Sequence, residues 1–283
     1  MSFPLLRRRA GAVFAAVILL CLLLPRAAPA DTSEDWFTKI LEEYQKTAGD
    51  DPLPAPSAAP AQTAVPPSFG NKDPVKAEVG GRVLAEGMLL SEDGFEFVVS
   101  AQEGYAVLTG YTGSAQRVNV PSRLMGCTLT YIGDGAFAYQ SGITALTLPD
   151  TVTRLGHGVF MACVSLEEVS LPSGITDVGV NLLTYCKALK SVTLPQEMPV
   201  IRLGMFQQCD GLEKIVIPDR VTRIDELAFH NCLSLREVSV PASVKAIADD
   251  AFSNCPVVTM MVYEGSYAQA YAIEKGIPSV IIR

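Results

Sequence analysis

Residues 234–255 read SLREVSVPASVKAIADDAFSNC, and residues 211–232, 23 positions upstream, read GLEKIVIPDRVTRIDELAFHNC. Similarity at a fixed offset of this size is the mark of a repeat architecture. Extending the frame both ways yields five gapless units of 23 residues: 141–163, 164–186, 187–209, 210–232 and 233–255. Six positions of the unit hold only apolar residues. Position 3 is Ile143, Leu166, Leu189, Leu212 and Leu235, position 6 is Leu146, Val169, Val192, Ile215 and Val238, and position 20 is Phe160, Leu183, Phe206, Phe229 and Phe252. Positions 8, 12 and 15 follow suit. A chain that is 49% hydrophobic would fill thirty such places by chance roughly once in 10⁹.

The two-residue step from position 6 to position 8 marks a short strand with both side chains facing inward. Position 9 is Pro149, Pro172, Pro195, Pro218 and Pro241. Proline has no N–H to give a ladder, so the strand is predicted to stop at the same corner of every coil. Glycines and charges at positions 16–18, such as GHG at 156–158, predict a turn leading into a short helical piece that buries the residue at position 20. One coil alone covers too little side chain to offset its ordering entropy, whereas coils stacked at about 4.8 Å build a continuous core.

Outside the five units the periodicity loosens. Residues 113–140 read as an irregular leading coil with Val118, Val120, Pro121, Ile132 and Phe137 in register after a five-residue insertion, giving a solenoid over 113–255. Residues 256–283 read as a C-terminal cap, in which Ser266 and Gln269 form a capping box, Gly276 ends a helix and PSVIIR is a last strand. The β-prone runs within 79–112, separated by turns at Gly94 and Gly104, predict a β-hairpin N-terminal cap. Residues 49–78 form a Pro/Ala-rich linker carrying seven prolines, a spacer that reaches at most about 80 Å if fully extended. Residues 31–48 contain a short amphipathic helix with Trp36 near Ile40, and Phe37 near Leu41 and Tyr44; it is either a docking helix or a marginal one folded loosely on the body.

Residues 1–30 have the order of a secretory signal peptide: Arg7, Arg8 and Arg9, an apolar stretch from Ala10 to Leu24, and Ala28-Pro29-Ala30 before Asp31. About 15 apolar residues are short of a transmembrane span. Export to the cell surface or beyond is therefore expected, with no transmembrane span after cleavage. Loss of Arg7, Arg8, Arg9 and Arg26 leaves 18 basic against 30 acidic residues, about −12. Such a surface repels phosphate backbones, so nucleic acid is not expected as a partner.

The motif F-x-x-C-x-x-L-x-x-V-x-[LI]-P, seen in FHNCLSLREVSVP and FMACVSLEEVSLP, resembles the BspA-type leucine-rich repeat, and GYTGSAQRVNVPS resembles that family's way into its array. The resemblance implies an α/β leucine-rich-repeat solenoid, mainly parallel β with short helical turns. It further implies a secreted or surface protein of host-associated bacteria or some protists, in some cases linked to adhesion to host matrix proteins. It supplies no catalytic residues.

The polar columns remain. Position 23 is Cys163, Cys186, Cys209, Cys232 and Cys255. Side chains related by one coil's translation stay parallel at about 4.8 Å, wider than the 3.5–4.5 Å between disulfide-bonded Cβ atoms, so a buried thiol spine of small hydrophobes is preferred to a disulfide framework. A single column offers no tetrahedral cage, so no metal is expected. Cys127, in the insertion, is read as free. His157 and His230, the only histidines, occupy different columns, so no Cys–His nucleophile pair is expected. The outward column at position 4 is Thr144, Glu167, Lys190, Glu213 and Arg236, with charges that alternate coil by coil. It is either a docking ridge for a protein ligand or a device that sets the register between coils. The reading is a monomeric, cofactor-free, non-catalytic scaffold binding a host or envelope protein; the alternative is a structural or assembly component of the cell envelope docked through residues 31–48.

Overall fold

The computed structural model describes residues 76–79, 82–85, 89–100 and 104–283. The expected signal peptide, the 31–48 helix and most of the 49–78 linker lie outside the described residues. The last residues of that linker are strand: β1 (Lys76–Val79) pairs antiparallel with β2 (Arg82–Ala85) in a hairpin of its own.

A meander follows, made of β3 (Leu89–Glu92), β4 (Phe95–Ser100) and β5 (Tyr105–Tyr111). Asp93 and Gly94 turn the first hairpin with φ of 49° and 82°, the left-handed pair a two-residue hairpin loop requires. Alternation along β4 sends Phe95, Phe97 and Val99 into the core. The leading coil contains β6 (Arg117–Asn119), β7 (Arg123–Leu124) and β8 (Cys127–Ile132), and the insertion is the β7–β8 hairpin, turned at Met125 and Gly126. β5 pairs parallel with β8, so the meander's sheet runs into the array without a break.

The five units each add two strands. They are β9 (Ala145–Thr147) and β10 (Arg154–Leu155), β11 (Glu168–Ser170) and β12 (Asp177–Val178), and β13 (Ser191–Thr193) and β14 (Val200–Ile201). Then come β15 (Lys214–Val216) and β16 (Arg223–Ile224), and β17 (Glu237–Ser239) and β18 (Ala246–Ile247). All stack in parallel with a 23-residue register, Glu168 beside Ser191 and Arg154 beside Asp177. The first members form one face of the solenoid and the second members another. The chain ends with β19 (Thr259–Tyr263), helix α1 (Tyr267–Lys275) and β20 (Ser279–Ile282), which pairs with β19. Ser266 Oγ accepts from the Gln269 N–H at 3.2 Å, and the Gln269 side-chain oxygen accepts from the Gly265 N–H at 2.8 Å. Gly276 closes the helix at φ 67°.

Proline sets where the second face divides. At position 13 the Thr176 N–H donates to Thr153 at 3.2 Å and the Thr222 N–H to Pro199 at 2.9 Å. Pro199 has no N–H to give Thr176, so the ladder stops between β12 and β14.

The third side carries no strand. Position 22 is left-handed in every unit and position 18 in all but the last, where Asp250 stands; examples are Gly158 and Ala162 at φ 55° and 58°, and Asn181 and Tyr185 at 57° and 64°. This geometry aims the N–H groups of positions 18, 20 and 22 along the stack at carbonyls of the next coil: Phe160 to Leu182 at 3.0 Å, Leu183 to Met205 at 2.9 Å, Phe229 to Ala251 at 2.8 Å. The predicted helical piece is therefore a run of single i→i+3 turns, such as Cys163 N–H to Phe160 at 3.2 Å. Amides committed to the neighbouring coil cannot also close an α-helix, and α1 is the one α-helix among the described residues.

Position 20 forms a single buried file. Phe160, Phe206 and Phe229 have no exposed surface and Phe252 is 5% exposed. Ring centroids lie 5.6 Å apart from Tyr111 to Phe137, 5.9 Å from Phe137 to Phe160, 5.2 Å from Phe206 to Phe229 and 4.9 Å from Phe229 to Phe252. Leu183 is the sole aliphatic member. Truncating a fully buried phenylalanine removes both transfer energy and packing, so Phe229→Ala is expected to cost about 3–5 kcal/mol in urea unfolding. The exposed Lys245→Ala control should stay within about 0.5 kcal/mol.

Candidate interaction site

The position-4 residues stand one place ahead of the first-face strands. Their backbones extend the ladder: the Glu167 N–H donates to Thr144 at 2.8 Å, Lys190 to Glu167 at 3.3 Å, Glu213 to Lys190 at 3.3 Å and Arg236 to Glu213 at 2.8 Å. With the backbone fixed, the side chains of Glu167, Lys190, Glu213 and Arg236 are exposed, and half-buried Thr144 donates its hydroxyl to the Gln116 carbonyl at 3.1 Å.

The alternating charges close one ion pair in this column, Lys190 Nζ to Glu167 Oε2 at 2.7 Å, and that carboxylate holds the Lys190 ammonium above its ordinary pKa. No Glu213–Arg236 ion pair forms among the described residues. The neighbouring position 5 supplies two more contacts, Lys214 to Glu237 at 3.1 Å and Arg117 to Glu168 at 3.7 Å. All of these are solvent-exposed, where such a pair contributes at most about 1 kcal/mol.

Position 7 was legible as outward-facing, because it lies between two inward residues, but it carries no charge to draw notice. It is Thr147, Ser170, Thr193, Val216 and Ser239, a row of hydroxyls beside the charged ridge interrupted by Val216, which is 68% exposed. The second face is more fully paired. Arg154 lies 5.1 Å over the Tyr131 ring and 3.4 Å from Asp177, and Arg223 lies 2.6 Å from Asp225.

Five buried free thiols form the cysteine column, and each donates to the position-20 carbonyl of the preceding coil: Cys163 to Phe137 at 3.0 Å, Cys186 to Phe160 at 3.1 Å, Cys209 to Leu183 at 3.2 Å, Cys232 to Phe206 at 3.1 Å and Cys255 to Phe229 at 2.9 Å. A small hydrophobe would leave that lone pair unused, so the thiol is a donor as well as a filler. Burial pushes Cys163 up to about 12 and raises Cys186 and Cys209 well above the ordinary range. Cys127 is also free and buried, in β8.

His157 is exposed, and its Nδ1 accepts from the Val180 N–H at 3.1 Å, tying two turns together. His230 is half-buried, and its Nδ1 has no hydrogen-bond partner. Among the described residues no group of three or more His, Cys, Asp or Glu could hold a metal ion, and no helix is long and apolar enough to cross a membrane.

Stacked coils with a repeating inward pattern and two parallel ladders define a leucine-rich-repeat solenoid. Residues 130–259 match the BspA type Leucine rich repeat region in six copies, and the array is built of these BspA-type repeats. Among solved structures, a leucine-rich repeat protein of T. pallidum is similar at 25% identity and a TM-score of 0.58, over 61% of this chain and 80% of that one. A leucine-rich repeat protein of Bacteroides capillosus is similar at 24% identity and a TM-score of 0.37, over 53% and 96%. The curated proteins contain no match.

Two outcomes follow from the buried groups. At pH 8 a thiol with a pKa of about 12 is ionised to about one part in ten thousand, so Cys163, Cys186 and Cys209 should ignore a disulfide reagent in the folded chain and react once urea unfolds it. Burial lowers the His230 pKa, with Asp250 opposing. A depressed folded-state value leaves stability whole above the unfolded imidazole's pKa of about 6.5 and erodes it below. The urea midpoint should therefore fall between about pH 7 and pH 5, and fall less in His230→Gln.

Proposed function

We propose that the chain is exported and serves as a non-catalytic protein-binding scaffold, in the manner of an adhesin, with the ridge of Thr144, Glu167, Lys190, Glu213 and Arg236 as its ligand-facing side. The observation that carries this reading is the position-4 ladder. It fixes five backbone positions at one-coil spacing on one edge, so little main-chain entropy remains to be lost on binding. Glu213 and Arg236 are exposed and unpaired with each other, and Val216, in the adjoining position-7 row, adds an exposed apolar side chain. Ordinary protein interfaces combine such an apolar centre with a polar rim. The order of residues 1–30 supports export.

The test is capture of extracellular proteins from host matrix on immobilised chain, followed by affinity measurement for whatever is retained. Reversing the unpaired charges in Glu213→Lys with Arg236→Glu should weaken binding by about tenfold or more, while Lys190→Ala, which removes only a screened pair, should change it less than about threefold. Deleting residues 31–78 should leave the affinity intact. Lost attachment to the producing cell with unchanged ligand affinity would instead favour an envelope tether docked through its N-terminal segment.

A further inference from the structure

On the turn side of the array, the N–H groups at positions 18, 20 and 22 point toward the next coil. One coil shows the full set: Gly204 donates to Glu226 at 3.1 Å, Phe206 to Ala228 at 2.8 Å and Gln208 to His230 at 2.8 Å. Translation by one more coil leaves the last unit with two such donors, Phe252 and Asn254, whose N–H groups have no acceptor among the described residues; at position 18 Asp250 departs from the left-handed geometry of its counterparts, and its carboxylate instead accepts from the Leu227 N–H at 3.2 Å.

In the next coil's place stands the C-terminal end of α1. Between the two lies a cavity of about 400 Å³, bordered by Phe252, Asn254 and Cys255 on the coil side and by Tyr271, Lys275 and Ile277 on the other. α1 completes the side-chain file without completing the backbone ladder. The Tyr271 ring covers Phe252 at 6.3 Å and its hydroxyl donates to the Ala248 carbonyl at 3.1 Å. The opposite end of the array differs, because the meander closes it: the Tyr111 ring sits 5.6 Å from Phe137 and the Tyr111 carbonyl accepts from Gln140 Nε2 at 2.7 Å.

Donors on alternate residues match the alternate carbonyls along one edge of an extended chain. Charge narrows the ligand further. Lys275 Nζ is bonded to Asp249 Oδ1 at 2.7 Å, so this pair brings no net charge to the cavity's mouth. Neutral carbonyls therefore fit better than a phosphate or a free carboxylate, which would gain no uncompensated cation.

We propose that the C-terminal end of the array docks an extended, uncharged peptide segment of a partner protein, whose main-chain carbonyls accept from the N–H groups of Phe252 and Asn254. This deepens the protein-binding reading and rests on it for the partner's being a protein, but it uses backbone donors and needs no residue of the ridge.

The experiment is an amide NMR titration of the isotope-labelled chain with a capped tetrapeptide of alternating glycine and alanine. Saturable shifts centred on Phe252 and Asn254 are expected. Ser253→Trp, which fills the cavity, should weaken them by at least about tenfold, and Glu213→Lys with Arg236→Glu should leave them unchanged. Sodium acetate and inorganic phosphate should leave the two amides in place. Shifts produced by the anions and not by the peptide, or no saturable shift with any probe, overturn the proposal. The titration of the unaltered chain is decisive even if Ser253→Trp fails to fold. Loss of the ridge variants' effect on captured ligands would sink the ridge and leave this titration untouched.

Discussion

Backbone amides at fixed positions find acceptors here only if the neighbouring coil is displaced along the axis with its register unchanged. Position 4 donates backward, position 20 donates forward, and the two strands of each unit pair with those of the neighbouring coils except between β12 and β14 and between β13 and β15. An insertion inside a unit would break every ladder at once, and this accounts for five gapless units between Ser141 and Cys255 and for an insertion tolerated only in the leading coil, where β7 and β8 absorb it as a hairpin. Cores stacked this way gain stability from neighbour to neighbour.

The inward half of this arrangement was legible in the sequence because burial is periodic. The columns of Leu, Val, Ile and Phe at positions 3, 6, 8, 12, 15 and 20 state which side chains face the axis, and Pro149, Pro172, Pro195, Pro218 and Pro241 state where strands stop. The third side reads from its residues as short helical pieces and is instead a run of single turns. Its conformation is set by left-handed residues as varied as Gly158, Asn181, Leu227 and Tyr185, and nothing in those side chains announces a positive φ. The stack imposes it, because only that geometry lets positions 18, 20 and 22 reach the next coil. The thiol donors were hidden for a similar reason: a cysteine column fits packing alone, and the carbonyl it serves belongs to a residue 26 positions away.

The ridge shows the same division between pattern and geometry. Alternating signs at position 4 were visible, but pairing depends on how long side chains lean, and only Glu167 with Lys190 meets in that column. Val216 was overlooked because a valine in a strand is ordinarily read as core, yet an odd position in the V-x-L step faces outward. The unpaired donors of the last coil cannot be seen in any one repeat. They exist because translation ends.

Pro199 has a further consequence. It parts the second face between β12 and β14, while the first face divides between β13 and β15, so the coil 187–209 is joined by strand pairing to its predecessor on one side and to its successor on the other. The aromatic file is interrupted at Leu183, in the coil just before. These discontinuities form an oblique fault across the middle of the rod. Under axial tension the molecule would part there into two blocks, each keeping its own stacked phenylalanines, so the weakest joint in this scaffold is internal and lies away from both ends.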